Sequence, residues 1–265
     1  MGQIMHKPRR PCGPDKTKEP SDVMTRAWIF TVTLCLTLCL SLVQVAPVSA
    51  QGDGYRPEPV NARILAIGDS LMAWNGLGGR SIPQVVSLLL KEPVRSHANV
   101  GAFMIYALPI SGLMGKRIAA QYRDNDYDWV IVNGGGNDLW LGCGCRKCER
   151  RMNKMVSPDG RKGEVPDLMR RIRKSGAKVV FIGYLRSPGS GSTIEHCKNE
   201  GDAYDARLAV MAKQMDGVWF ISNADLVPSG DTSYHSSDRI HPSRKGSIAI
   251  AQRVAALIRQ QDKTR

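Results

Sequence analysis

An α/β fold, with a parallel sheet covered on both faces, is what the sequence predicts, and three observations predict it. Five short apolar runs, starting near Ala62, Val94, Asp128, Lys178 and Val218, alternate with stretches whose apolar residues recur at helical spacing. Such runs, closed by a turn signal, read as fully buried strands. The residues that follow them are polar or glycine (Gly68-Asp69-Ser70, Gly101, Gly134-Gly135-Gly136-Asn137), and an open parallel sheet opens its ligand crevice at those carboxyl ends. The chain of 265 residues is long enough for one such domain, and no repeat or long linker divides it.

Residues 1–50 differ in composition from the rest. Lys7, Arg9, Arg10, Lys16, Lys18 and Arg26 precede an uncharged apolar run from Ala27 to Val48, and Val48-Ser49-Ala50 offers a small-x-small cleavage site. This segment is expected to be a signal peptide, which makes the mature protein exported, periplasmic or secreted, with no stable membrane span after cleavage. The rival is a retained anchor, since the run approaches the ~20 residues that span a bilayer. Its basic flank would stay inside, so the domain would be exported either way. Met24 is an alternative start that keeps the whole apolar run. Without the leader the chain has 31 basic and 21 acidic residues. An exported basic protein meets anionic envelope polymers or lipid headgroups more often than nucleic acid, and a solvated basic face is the commoner explanation.

Residues 51–61 form a Gly/Pro-rich polar lead-in, and the domain spans 62–265. The first strand runs to Ile67, with Ser70 just past its end. Ser81-Ile82-Pro83 opens a helix with Ser as N-cap, Pro in its first turn and a stripe of Val85, Val86, Leu88 and Leu89. A second strand is expected over Val94 to Val100, and a helix over Ser111 to Arg123 after a break at Pro109. The third strand, Asp128 to Asn133, runs into three glycines, whose entropic cost implies close backbone approach or unusual dihedrals. An irregular, basic, Cys-rich insertion is expected over about 141–163. Val165, Leu168, Met169 and Ile172 then mark a helix with Pro166 in its first turn. The fourth strand is Lys178 to Tyr184, and a Gly/Ser loop follows it. Leu208, Met211, Ala212 and Met215 mark a helix, Val218 to Ser222 the fifth strand, and Pro242 the opening of a final helix buried through Ile250, Val254, Leu257 and Ile258.

These strand ends carry the parts of an acyl-transfer site. Ser70 is a candidate nucleophile; Asp238 and His241, three apart, supply a carboxylate-oriented base; Asn137 and the Ser70 N–H supply oxyanion donors. Taken singly, each has a bland reading as turn chemistry or helix entry, and His235, which lacks the carboxylate spacing, is left there. Jointly and in this order, Gly68-Asp69-Ser70-Leu71, Gly135-Gly136-Asn137-Asp138 and Asp238-Arg239-Ile240-His241 with Pro242 behind it resemble the signature blocks of the SGNH/GDSL hydrolase family. The resemblance covers about Ala62 to Arg259. It implies a three-layer α/β/α, flavodoxin-like fold whose five-stranded parallel sheet has the order 2-1-3-4-5. It also implies Ser70 as nucleophile, His241 as base, Asp238 as its orienter and Asn137 as oxyanion donor. Asn99-Val100-Gly101 matches the start of another block, Asn-x-Gly-x-x-Gly, whose last glycine falls on Met104 here. The backbone donor is therefore expected at Met104, with Gly101 as the alternative.

The implied activity is cleavage of acyl esters, of small acyl esters or acylated envelope carbohydrate, with no cofactor and no metal. An acyltransferase using the same acyl-enzyme and a non-catalytic binding module are the alternatives; no Gly-x-Ser-x-Gly elbow supports an α/β-hydrolase. Beyond the leader, Cys143, Cys145, Cys148 and Cys197 remain. An even count in an oxidising compartment predicts two disulfides. Cys197 is expected to join one member of the cluster, and a local Cys145–Cys148 or Cys143–Cys148 bridge to use the other two. The competing reading is a Cys₄ or, with His196, a Cys₃His zinc site. The bridges would hold the basic segment from Arg146 to Lys162 as a rim beside Ser70.

Overall fold

The computed structural model describes residues 61–123, 126–189 and 191–262, all within one compact unit, Gly54–Arg265. The expected signal peptide, its cleavage site and nearly all of the lead-in lie outside the described residues. Five parallel strands, β1 (Ile64–Ile67), β2 (Val94–Ser96), β3 (Trp129–Val132), β4 (Lys178–Ile182) and β5 (Val218–Ile221), form one sheet in the order β2-β1-β3-β4-β5. Alternate residues of β1, β3 and β4 enter opposite cores, as the period of two requires. Leu65, Ile67, Val130, Val132, Val179 and Phe181 face one layer of helices; Ile64, Ala66, Trp129, Ile131, Val180 and Ile182 face the other.

Helix α1 (Ser70–Ala73) is a single turn, and α2 (Ile82–Leu90) starts as predicted, with Gln84 Oε1 accepting from the Ser81 N–H at 2.9 Å. Helices α3 (Gly136–Cys143), α4 (Glu149–Met155), α5 (Glu164–Lys174), α6 (Lys198–Lys213) and α7 (Arg244–Gln261) complete the layers. On the second face, α2 and α7 pack together over Ile82, Val86, Ile250, Val254 and Ile258. On the first, α5 buries the predicted stripe of Val165, Leu168, Met169 and Ile172.

Four expectations change. The second strand stops at Ser96, four residues early; the chain then follows β1 by single bonds, His97 N–H to Ala66 O and Asn99 N–H to Gly68 O. The helix over 111–123 is broken into Pro109–Ser111, Gly112–Lys116 and Ile118–Gln121, because Gly115 takes a left-handed conformation (φ 97°) that a continuous helix does not contain. The Cys-rich insertion is not irregular throughout: α4 lies inside it, burying Met152 and Met155. Pro242 does not open the last helix. Ser243 is its N-cap, accepting from the Gly246 N–H at 3.2 Å, and Pro242 pairs with His235 in an isolated antiparallel bridge. Among the described residues no helix is long and apolar enough to cross a membrane.

Candidate active site

Ser70 occupies the first position of α1 because β1 ends at Ile67 and Asp69 caps the turn, its Oδ1 accepting from the Leu71 N–H at 3.0 Å. The Asp69 carboxyl is buried and held between β3 and β4. Asn133 Nδ2 donates to Oδ1 at 3.2 Å, and the Tyr184 hydroxyl donates to Oδ2. Burial pushes this carboxyl above its ordinary range, against the bonds from Tyr184, Leu71 and Asn133. Tyr184 in turn accepts from the Gly136 N–H at 2.8 Å, so one hydroxyl ties the turn carrying Ser70 to the turn carrying Asn137.

The turn after β5 brings the other partners. The N–H groups of Ile240 and His241 both donate to Asp238 Oδ1 at 3.0 Å, and Ser236 N–H closes onto His241 O at 2.8 Å. With its backbone so fixed, His241 sets Nδ1 2.7 Å from Asp238 Oδ2 and Nε2 2.9 Å from Ser70 Oγ. Burial alone would push Asp238 up, but the bonds from His241 and Ile240 outweigh it and hold the carboxyl below its usual range. An ionised carboxylate on Nδ1 keeps the imidazole proton there and leaves Nε2 to accept from the serine hydroxyl. Trp74 lies flat on the imidazole, with ring centroids 3.7 Å apart and planes 8° from parallel, and its Nε1–H donates to Ser236 Oγ at 2.8 Å.

Asn137 sits in the first turn of α3 and lines the same cleft; its Nδ2 donates to Ala102 O at 2.9 Å. An amide carries two such hydrogens, so it can serve Ala102 and a developing oxyanion together. The three glycines before it are there for close approach, as expected. A Cβ at Gly134 would come 2.4 Å from Ile118, one at Gly135 2.6 Å from the Tyr204 hydroxyl, and one at Gly136 2.7 Å from the Tyr184 ring.

Met104 does not present its N–H to the site. The side chain is fully buried, and the N–H donates to Asp138 Oδ2 at 2.8 Å, beside the Ile105 N–H on Oδ1 at 3.1 Å. Neither Met104 nor Gly101, which turns the chain at φ 72°, lines the cleft. Asp138 also takes Arg151 of α4 at 3.1 Å, and burial nevertheless pushes its carboxyl up to about 6. His235 is buried beneath the His241 turn and takes no part in the Ser70 line.

The cleft has a volume of about 380 Å³, and its wall is mostly apolar, with Leu139, Trp140, Leu185, Ile194, Val227 and Ile240 beside Ser70, Asn137 and His241. Cys145 and Cys197 close one side of it, joined by a disulfide across a separation of 52 residues; Cys143 and Cys148 form the second bridge. Of the expected pairings, the local one is therefore Cys143–Cys148, and the zinc readings lose their thiolates to the bridges. None of the basic residues from Arg146 to Lys162 lines the cleft. The cations that do are Lys198 and Arg186, the latter paired with Asp202 at 2.7 Å and Asp205 at 2.8 Å. Trp74 and Tyr184 were missed from the sequence because neither lies in a spaced motif; Tyr184 closes an apolar run, and Trp74 follows the serine turn without a pattern of its own.

None of the curated proteins compared matches the chain. Solved structures share its fold. An SGNH hydrolase from Slackia heliotrinireducens superimposes with a TM-score of 0.52 at 20% identity, over 74% of this chain and 98% of that one. The lipase Lip_vut3 from a goat rumen metagenome gives 0.50 at 18%, over 74% and 97%. A family two carbohydrate esterase from Clostridium thermocellum, in complex with cellohexaose, gives 0.51 at 18%, over 77% and 66%. Residues 66–247 match the family described as GDSL-like Lipase/Acylhydrolase, a span that holds the serine turn near one end and the histidine turn near the other. The chain belongs to that family and is an esterase.

Proposed function

We propose that this protein is an exported esterase that removes acyl groups from carbohydrate, with Ser70 as nucleophile. The observation that carries the reading is the continuous line from Ser70 Oγ through His241 to Asp238, opening into the cleft. Ser70 Oγ attacks the ester carbonyl carbon while His241 Nε2 takes its proton. The carbonyl oxygen, now an oxyanion, accepts from the Ser70 N–H and from the second hydrogen of Asn137 Nδ2. Collapse of this intermediate breaks the bond to the alcohol, which leaves with the proton from His241. Water then attacks the acyl-enzyme by the same route in reverse and frees the acid. Asp238 orients the imidazole and stabilises its charged form throughout.

A sugar as the alcohol is supported by the flat, partly exposed Trp140 in the cleft wall and by the fold shared with a carbohydrate esterase that was solved with cellohexaose bound. Export is supported by the leader-like composition of residues 1–50 and by the two bridges. The test is hydrolysis of aryl esters of graded length and of acetylated oligosaccharides, with and without a serine-directed phosphonate. The expected result is phosphonate labelling on Ser70 and loss of at least about 10³-fold in Ser70→Ala. Full turnover by that variant, or release of acyl groups from aryl esters but never from saccharides, rejects the mechanism or the substrate class respectively.

A further inference from the structure

The chain between Phe103 and Ile118 leaves the core and returns to the same place. Phe103 N–H donates to Lys116 O at 2.9 Å and Ile118 N–H to Phe103 O at 3.0 Å, so the loop is closed at its base by backbone bonds. The base is also anchored inward: Met104 and Ile105 give their N–H groups to Asp138, and Ile105 O accepts from Arg151 at 3.3 Å. Inside the loop, the Tyr106 hydroxyl bonds Ser111 Oγ at 3.0 Å and its ring lies 3.4 Å from where a Cβ on Gly112 would stand. The tip is thus braced from within. Its large apolar side chains nonetheless face outward, with Leu108 64%, Ile110 78%, Leu113 71% and Met114 73% exposed. Single exposed aliphatics are ordinary; four within one short tip are not.

The stretch of chain that carries this tip has charged residues of one sign only. From Pro93 to Arg123 the chain has no Asp or Glu, while Arg95, Lys116, Arg117 and Arg123 are cationic. Arg117 borrows a carboxylate, Glu164 of α5, at 2.8 Å, and Lys116 bonds neutral oxygens among the described residues, Asn99 Oδ1 at 3.1 Å and Val100 O at 2.6 Å. An apolar tip above a cationic base is the pattern that adsorbs at an anionic bilayer: the side chains enter the acyl boundary and the cations meet the headgroups. A second copy fits less well. A stable dimer face uses about 20 residues a side, far more than this tip supplies.

We infer that the loop from Phe103 to Ile118 docks the protein on an anionic lipid surface, independently of any leader anchor. The loop follows the carboxyl end of β2, and Ser70 and Asn137 follow those of the parallel strands β1 and β3, so the docked molecule carries its cleft on the edge from which the loop leaves the sheet.

The test is co-sedimentation of the chain from Gln51 onward with lipid vesicles, either phosphatidylglycerol with phosphatidylcholine or phosphatidylcholine alone. Omitting residues 1–50 removes the apolar run, and the compact unit that begins at Gly54 is retained. Binding to the anionic vesicles is expected, weaker by about tenfold on phosphatidylcholine and weaker in high salt. The double variant Ile110→Asp, Leu113→Asp should lower the partition coefficient by about tenfold or more, with turnover of a soluble aryl acetate unchanged as the measure of folding. Should the double variant not fold, Leu113→Gln, with a smaller loss in the same direction, decides. Absence of binding by the parent chain, equal binding by either folded variant, or a dimer that the variant dissolves without any vesicle binding overturns the inference.

Discussion

Trp74 offers no nucleophile and no titratable group, yet it covers one face of His241 and is itself fixed by its bond to Ser236, in the turn that carries His241. A ring so placed limits the imidazole to the plane in which Nε2 meets Ser70. Trp74→Ala should therefore lower kcat by about tenfold to a hundredfold with little change in KM, and Trp74→Phe should restore most of the loss. Equal loss in both variants, or a change in KM alone, would count against this positioning role. At this scale the sequence was informative wherever chemistry demands fixed spacing. Asp238 and His241 are three apart because one tight turn must present both, and Ser70 follows a strand because a turn must end there. Met104 fails for the converse reason: a register tells which residue occupies a position, but not that Asp138 will take its N–H.

Among the elements, α4 was the least expected and does the most to join parts of the molecule. From it Arg151 reaches Asp138 in the first turn of α3, and so the insertion holds the element that carries Asn137. Asp138 titrates near 6 in the fold, pushed up by burial first, against bonds from Met104, Ile105 and Arg151. The sign follows from its ordinary value near 3.8. Below that value both states hold the proton; between it and about 6 the folded state alone does; above, neither. The contribution to stability is complete in acid and is lost as pH rises through the folded value. Asp138→Asn cannot ionise, so its stability relative to the parent should rise between about pH 4 and pH 6.5, by at most on the order of 3 kcal/mol. Urea unfolding of both proteins across that range measures it, and a constant difference would contradict the assignment. The helices that face the sheet were legible from their apolar period. The turns from Pro109 to Gln121 were not, since the period continues across Gly115 while its dihedral does not.

For the whole molecule, the strand order is the one the family resemblance implies, and the two cores are those the apolar runs imply, because alternate residues of a buried strand must enter opposite layers. Net charge was legible as a total but not as a distribution: the basic segment beside the cysteines puts no cation on the cleft wall, and the cations that line it are Lys198 and the doubly paired Arg186. The disulfides separate being folded from being active. The four bridged cysteines lie in the loops and helix ends beyond β3 and β4, so the sheet can assemble without sulfur chemistry, whereas the Cys145–Cys197 bridge is itself part of one wall of the cleft. Losing that bridge costs about 2 to 4 kcal/mol, within what a domain core can bear. Four thiols pair in three ways, two of them wrong. A preparation made under reducing conditions should then be soluble and rich in native secondary structure but poor in specific activity. Activity should return with the fraction of molecules that are four hydrogen atoms lighter by intact mass. Equal specific activity in reduced and oxidised preparations would refute this. If it holds, yield of soluble protein is the wrong measure of a successful preparation, and oxidation during assembly sets how much enzyme a given quantity of protein represents.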